Sequence, residues 1–195
     1  MADILMVIAP KNFRDEELLE PKEVFELHGY DVAIASEKAE TAKGKLGTEV
    51  DVDADLHDVD AADFVAIVFV GGGGCAQYFD NAKALDLAKK AADQGKVVAA
   101  ICIAPTILAN AGVLKGKRAT CYETARASIE AKGAKFVDEP VVVDGSIVTA
   151  NGPEAARAFG EAIVKVLSGA KPEPEARERH KEGEGRHRRK RHGRY

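Results

Sequence analysis

Cys102 stands where an unbroken apolar run, Val97–Ile101, gives way to Ala104-Pro105. Ala99 and Ala100 before it are small enough for a sharp turn, and proline is tolerated in the first turn of a helix. A strand that turns abruptly into a helix is the setting of a nucleophile elbow, here with Cys in place of Ser. A thiol at a helix N-terminus is expected to feel the helix dipole, to have a lowered pKa and to ionise to thiolate. The alternative for a lone cysteine is burial as a small apolar side chain; the junction and its flanking residues favour the reactive one. Glu17 closes an acidic stretch, Asp15-Glu16-Glu17, that follows another apolar run. Packed beside a thiol and away from water, such a carboxyl rises in pKa, and its protonated form donates a hydrogen bond to thiolate. Gly71-Gly72-Gly73-Gly74-Cys75-Ala76 formally fits the dinucleotide pattern GxGxxG/A. Four glycines in a row fit many patterns, however. The run follows an internal strand, and the strand that should bring an acidic residue about 20 positions later is absent. No Lys-Ser/Thr follows it, so it is no P-loop. Two readings remain: a tight turn without a ligand, or a backbone that approaches another group closely and offers free N–H donors, as an oxyanion site needs.

These residues need elements to position them. Residues 3–9 read as a buried parallel strand. Residues 15–28 read as a helix with its acidic turn at the N-terminus and Gly29 as its stop. His28 is then a partner for the helix dipole. A short strand is expected over 32–35, an edge strand or hairpin over 43–53, and a strongly buried strand over 64–70. An amphipathic helix over 81–94, a strand over 97–101 and a helix over 104–111 follow, with Gly95 and Gly112 as helix stops. A short strand over 118–121 and a helix over 124–132 come next. Residues 136–143 and 147–149 form a hairpin about Asp144-Gly145, and Pro153 opens a last helix over 155–167. Strands that alternate with helices make a doubly wound α/β fold with a largely parallel central sheet. Ligands in such sheets bind outside the carboxyl ends of the strands. Glu17, the run 71–75, Cys102 and Cys121 each follow a strand. Asp51, Asp53, Asp55 and Asp58 do not make a calcium loop, because Leu56 and Ala62 occupy the positions that need Gly and Glu. A solvated acidic loop is expected there, and no metal site elsewhere.

The 195 residues, 46% apolar, suit one globular domain. Three cysteines without CxxC spacing exclude a disulfide scaffold and a zinc ribbon. No apolar run approaches the ~18–20 residues of a membrane span, and no basic segment precedes the first apolar run as in a secretory signal. A cytoplasmic protein is expected. The net charge of −4 hides two unlike pieces. Residues 171–195 carry 10 basic and 5 acidic side chains, +5, which leaves −9 for residues 1–170. The tail has few large apolar residues to offset an ordering cost of roughly 1–2 kcal/mol per residue, and it reads as disordered. It is either a solubilising terminus or, through residues 186–194, a weak contact for a polyanion.

Several separate blocks resemble the ThiJ/PfpI (DJ-one) superfamily, of class I glutamine amidotransferase-like fold. They are residues 97–112 (VVAAICIAPTILANAG), Phe13-Arg14-Asp15-Glu16-Glu17-Leu18, Phe69-Val70-Gly71-Gly72, and the closing run 143–153 (VDGSIVTANGP). Together the resemblance spans about residues 3–168. It implies a flavodoxin-like three-layer sandwich, a homodimer or higher homo-oligomer, Cys102 as the elbow cysteine and Glu17 beside it. It also implies backbone anion donors at Gly72 and Ile103. The peptidase-like branch has His directly after the cysteine. Ile103 stands there instead, which disfavours a cysteine peptidase or amidase. The position that holds His or Tyr in relatives corresponds to Tyr122. Cys-Ile-Ala-Pro-Thr is closer to the stress-protein branch. The resulting expectation is cofactor-independent glyoxalase or deglycase chemistry on small reactive carbonyls. A redox sensor built on Cys102, with Cys75 and Cys121 as accessory thiols, is the alternative.

Overall fold

Four short apolar runs become the centre of one sheet. The computed structural model describes residues 2–38 and 40–169; the basic tail predicted over 171–195 lies outside the described residues. In chain order the strands are β1 (Ile4–Val7), β2 (Lys11–Phe13), β3 (Val32–Ser36), β4 (Thr41–Gly44), β5 (Glu49–Asp51), β6 (Ala54–Asp55), β7 (Ala66–Phe69), β8 (Val97–Ile101), β9 (Arg118–Ala119), β10 (Lys135–Phe136), β11 (Val141–Asp144) and β12 (Ile147–Ala150). The α-helices are α1 (Asp15–Leu27), α2 (Ala82–Asp93), α3 (Pro105–Asn110), α4 (Arg126–Ala131) and α5 (Ala156–Leu167). The central sheet has the order β11-β12-β8-β7-β1-β3-β6 and is parallel except for β11, which pairs antiparallel with β12 through the Asp144-Gly145 turn. This is the expected flavodoxin-like, doubly wound architecture.

Side chains of a strand alternate between faces, so each central strand feeds two cores. Leu5, Val7, Ile67, Phe69, Val98 and Ala100 pack with residues of α2, α3 and α4. Ile4, Met6, Ala66, Val68, Ala99 and Ile101 pack with α1 and α5. That alternation makes three layers. Helices α1 and α5 approach very closely. A Cβ on Gly160 would stand 2.9 Å from the Cα of Pro21, so glycine there is a packing requirement.

Some elements differ from the sequence reading. The 43–53 segment is a hairpin, β4–β5, that starts two residues earlier. It adds to β2, a strand with no counterpart in the reading, to form a three-stranded sheet. The 118–121 strand shrinks to β9. It pairs with β10 in a two-stranded ribbon outside the central sheet. The expected 136–143 strand breaks in two, because Pro140 has no N–H to give a ladder, and only Val141–Asp144 joins the hairpin. The acidic loop is not freely solvated throughout: Asp53 accepts from the Ile34 N–H at 2.8 Å and Asp55 from the His57 N–H at 2.9 Å.

Candidate active site

The carboxyl ends of β7, β8 and β12 meet at Cys102. The chain leaves β8 and turns at once into Ala104 and α3, with Pro105 in the first turn. To do so Cys102 adopts φ +65°, a left-handed conformation rare for a residue with a Cβ. Three backbone bonds fix the turn. The Cys102 N–H donates to the Ala150 carbonyl at 3.0 Å, the Tyr122 N–H donates to the Cys102 carbonyl at 2.8 Å, and the Ala104 N–H donates to the Ile101 carbonyl at 3.1 Å. The end of β12 and the segment after β9 therefore clamp the elbow from outside.

Glu17 arrives from the first turn of α1. It is fully buried. Its carboxyl lies beside the Cys102 thiol and the Gly71 amide, although neither oxygen completes a hydrogen bond of ordinary geometry. Burial pushes the Glu17 carboxyl up to about 7, against the thiol, the Arg14 guanidinium and the Gly71 amide, which all pull it down. Gly71 is where these groups converge. A Cβ there would stand 2.6 Å from the Cys102 Cβ and against the Glu17 carboxyl. Gly72 has φ +98°, and a Cβ on it would lie 2.6 Å from the Asn12 carbonyl oxygen. The glycine run thus lets the loop after β7 slot between the β2 segment and the elbow, with the Arg14 N–H donating to the Gly71 carbonyl at 2.9 Å.

The Gly72 and Ile103 backbone amides each pull the Cys102 thiol pKa down. The expected depression of the thiol pKa is not found. Burial first, and the neighbouring Glu17 charge second, push Cys102 up to about 12, and the two amides only partly offset them. Helix α3 has six residues, and its terminus does not outweigh burial of the thiol and the nearby Glu17 charge.

The other site candidates divide. Tyr122 is 49% exposed beside the elbow. Cys75 and Cys121 are buried, whereas Cys102 is partly exposed. Burial, reinforced by Cys102 and Glu17, raises the Cys75 thiol far above the ordinary range. Burial and then Glu123 push Cys121 up to about 12. His28 hydrogen-bonds the Val24 carbonyl through Nδ1 at 2.8 Å, and His57 pairs with Glu37 at 3.3 Å; both imidazoles are engaged away from the elbow. Among the described residues, no three His, Cys, Asp or Glu side chains gather as a metal ion would require.

Two contributors were not picked out from the sequence. Arg14 forms a two-pronged pair with Glu16, at 2.8 and 3.1 Å, and its positive charge acts on both Glu17 and Cys102. Its place one residue before α1 was the available signal. Asp15, itself buried, accepts from the N–H groups of Leu46 and Thr48 at 2.8 and 2.9 Å. Those bonds tie the β4–β5 hairpin to the start of α1 and so steady Glu17.

The fold is similar to that of a solved ThiJ/PfpI domain protein from Brachyspira murdochii, with 41% identity, a TM-score of 0.84, and 86% of this chain matched to 96% of that one. Residues 2–166 match the DJ-1/PfpI family along nearly the whole described chain. The chain belongs to the DJ-1/PfpI family. Among its DJ-1/PfpI relatives, an uncharacterized protein of Methanocaldococcus jannaschii is 47% identical over 169 residues, covering 85% of this chain and 82% of that one. A deglycase of Pyrococcus abyssi is 36% identical over 163 residues, covering 84% and 98%. No helix among the described residues is long and apolar enough to cross a membrane.

Proposed function

We propose that this DJ-1/PfpI protein is a cofactor-independent enzyme of glyoxalase or deglycase type. It acts on small reactive carbonyls with Cys102 as nucleophile and Glu17 as proton carrier. The observation that carries this reading is one juxtaposition: a fully buried carboxyl, raised to about 7, beside a partly exposed thiol on a strand-to-helix elbow. The P. abyssi deglycase at 36% identity supports the same class of chemistry.

Glu17 near 7 and Cys102 near 12 mean that the pair holds two protons below about pH 7 and one, on the thiol, above it. A base whose pKa lies near the working pH is well matched to proton transfer. Ionised Glu17 takes the thiol proton as the sulfur attacks the aldehyde carbon of a 2-oxoaldehyde. The new C–S bond leaves the electron pair on the carbonyl oxygen, where protonated Glu17 returns the proton and a hemithioacetal results. Glu17 then moves a proton from that carbon to the neighbouring one through an enediol, while the hydroxyl proton on the first carbon passes to the neighbouring oxygen, which converts the hemithioacetal into the thioester of a 2-hydroxy acid. Water cleaves the thioester, releases a 2-hydroxy acid and restores the thiol. The net change is addition of one water, with no external oxidant or reductant. The Gly72 and Ile103 amides are the expected donors to charge that develops on sulfur and oxygen, and Arg14 is a further stabilising charge at the mouth.

Methylglyoxal turnover by the natural protein, Cys102→Ser and Glu17→Gln tests this. Turnover is expected to vanish in Cys102→Ser and to fall by about 10²–10⁴-fold in Glu17→Gln, the usual range for a proton-transfer group. Turnover no higher than that of Cys102→Ser would overturn the reading.

A further inference from the structure

The chain has four asparagines, Asn12, Asn81, Asn110 and Asn151, and only Asn151 is followed by glycine. A backbone nitrogen can attack the side-chain carbonyl carbon of the asparagine before it. Glycine does so most readily, because no Cβ crowds the approach. Asn151 stands directly after β12 and is part-exposed. Its own N–H donates to the Pro140 carbonyl at 3.0 Å, whereas the Gly152 N–H donates to no group among the described residues. The nucleophile is therefore not tied up, and neither is the electrophile. Asn81 accepts from the Ala84 N–H at 3.0 Å and Asn110 donates to the Phe79 carbonyl at 2.8 Å; the Asn151 carboxamide has no such tie among the described residues. Asn12 precedes the bulky Phe13. Nothing in the fold demands glycine at 152. Its φ of 162° is extended backbone, and a Cβ there would meet the Tyr122 ring at an ordinary 3.6 Å.

We propose that Asn151-Gly152 is a self-modifying site whose conversion to isoaspartate loosens the elbow. Hydroxide removes the Gly152 amide proton, and the nitrogen attacks the Asn151 Cγ. The new C–N bond closes a five-membered succinimide. The carboxamide nitrogen leaves as ammonia, taking a proton from water and regenerating hydroxide. Water then opens the ring at either carbonyl and gives aspartate or isoaspartate. One water enters and one ammonia leaves, with no oxidant or reductant. Isoaspartate carries one extra carbon in the main chain, directly after the Cα of residue 151. The peptide carbonyl on the other side of that Cα belongs to Ala150, and it holds the Cys102 N–H at 3.0 Å. Cys102 keeps its left-handed conformation, φ +65°, only because its surroundings impose it. A displaced Ala150 carbonyl removes one of those restraints and shifts the thiol. Aspartate leaves the main chain at its natural length and adds only a charge.

The test ages the full chain at pH 8.5 and maps its peptides by mass spectrometry, with aspartate and isoaspartate separated by chromatography. A gain of about 1 Da is expected first at residue 151, mostly as isoaspartate. Gly152→Ala is expected to slow it about tenfold, because a Cβ now crowds the attacking nitrogen. Two readouts follow the isoaspartyl fraction. The alkylation rate of Cys102 by iodoacetamide should shift with that fraction. Methylglyoxal turnover should be lost in proportion to it, since a small displacement of reacting groups costs about 10²-fold. Only the second readout rests on the elbow chemistry proposed above. Asn151→Asp, which has the charge without the extra carbon, should retain the alkylation rate and turnover of fresh protein. Conversion of Asn12, Asn81 or Asn110 ahead of Asn151, or equal ageing of Gly152→Ala, overturns the site. Isoaspartate at 151 with an unchanged alkylation rate overturns its effect on the elbow. A shifted alkylation rate with no methylglyoxal turnover in fresh protein upholds the site and sinks the carbonyl chemistry alone.

Discussion

At the scale of single residues, the candidate site is held together at the expense of the fold, and pH exposes that. Glu17 has an ordinary carboxyl value of 4.5 when unfolded and about 7 when buried. Between those values the native chain keeps a proton that the unfolded chain has released, so stability falls as pH rises through that window. The gap is worth about 3 kcal/mol at roughly 1.4 kcal/mol per pH unit. Glu17→Gln removes that burden. It is expected to raise Tm relative to the natural protein at pH 8 and to change it little below pH 5. Catalysis moves the other way: kcat/KM should climb with pH through an apparent value near 7 and lose that limb in Glu17→Gln. Thermal melts and rate profiles over pH 4.5–8.5 check both, and a Glu17→Gln protein no more stable at pH 8 would mean that the carboxyl is hydrated. Cys102 was legible from its strand-to-helix junction, and Glu17 from the acidic turn together with the family blocks. The direction of the thiol shift was not legible. It depends on how deeply the pair is buried and on a charge contributed from 85 positions away in sequence, and neither shows in the local pattern around Cys102.

At the scale of elements, long apolar runs were readable and short polar strands were not. β1, β3, β7 and β8 stood out because both of their faces are buried, which leaves near-continuous Val, Ile, Leu and Ala. β2 reads Lys-Asn-Phe and has no such signature; it becomes a strand only because β4, 30 residues away, offers it a partner. β9 and β10 are two residues each, and their pairing in a separate ribbon is likewise a tertiary outcome. The glycine loop after β7 lies between these cases. Its closeness to something was legible, but not to what. That closeness gives a sharp comparison. Gly71→Ala puts a methyl group 2.6 Å from the Cys102 Cβ and 2.7 Å from the Ile101 carbonyl oxygen, so the elbow or the loop has to shift. Overpacking of this kind costs about 1–3 kcal/mol, and a small displacement of reacting groups costs about 10²-fold in rate. Gly73→Ala, two positions on, meets nothing within 4 Å and has no positive φ. Turnover and Tm should both fall in Gly71→Ala and stay within error in Gly73→Ala. Equal behaviour of the two variants would show that the loop tolerates a side chain at the convergence point.

At the scale of the whole molecule, charge divides where the family match ends. Residues 2–166 carry the fold, and the −9 of residues 1–170 is opposed by the +5 of residues 171–195. A polyanion that approaches this chain meets repulsion from the body and attraction from Arg186, Arg188, Arg189, Lys190, Arg191 and Arg194. The repulsion acts over about 10 Å at 0.1 M salt, which favours contact through the end of the tail alone. Contact through those six charges to a single strand releases counterions, so log K should fall against log salt with a slope of about −4, at roughly 0.7 per phosphate. Weak, salt-sensitive retention of the full chain on immobilised single-stranded nucleic acid is therefore expected at 20–50 mM salt and lost near 0.2 M. Replacing Arg188, Arg189 and Arg191 by Gln should cut the slope by about half while leaving methylglyoxal turnover unchanged, because those residues lie beyond the family match in sequence. Retention that is insensitive to the replacements would assign the contact to the body. No retention even at the lowest salt would leave the run 186–194 as a solubilising terminus, the outcome its composition alone supports.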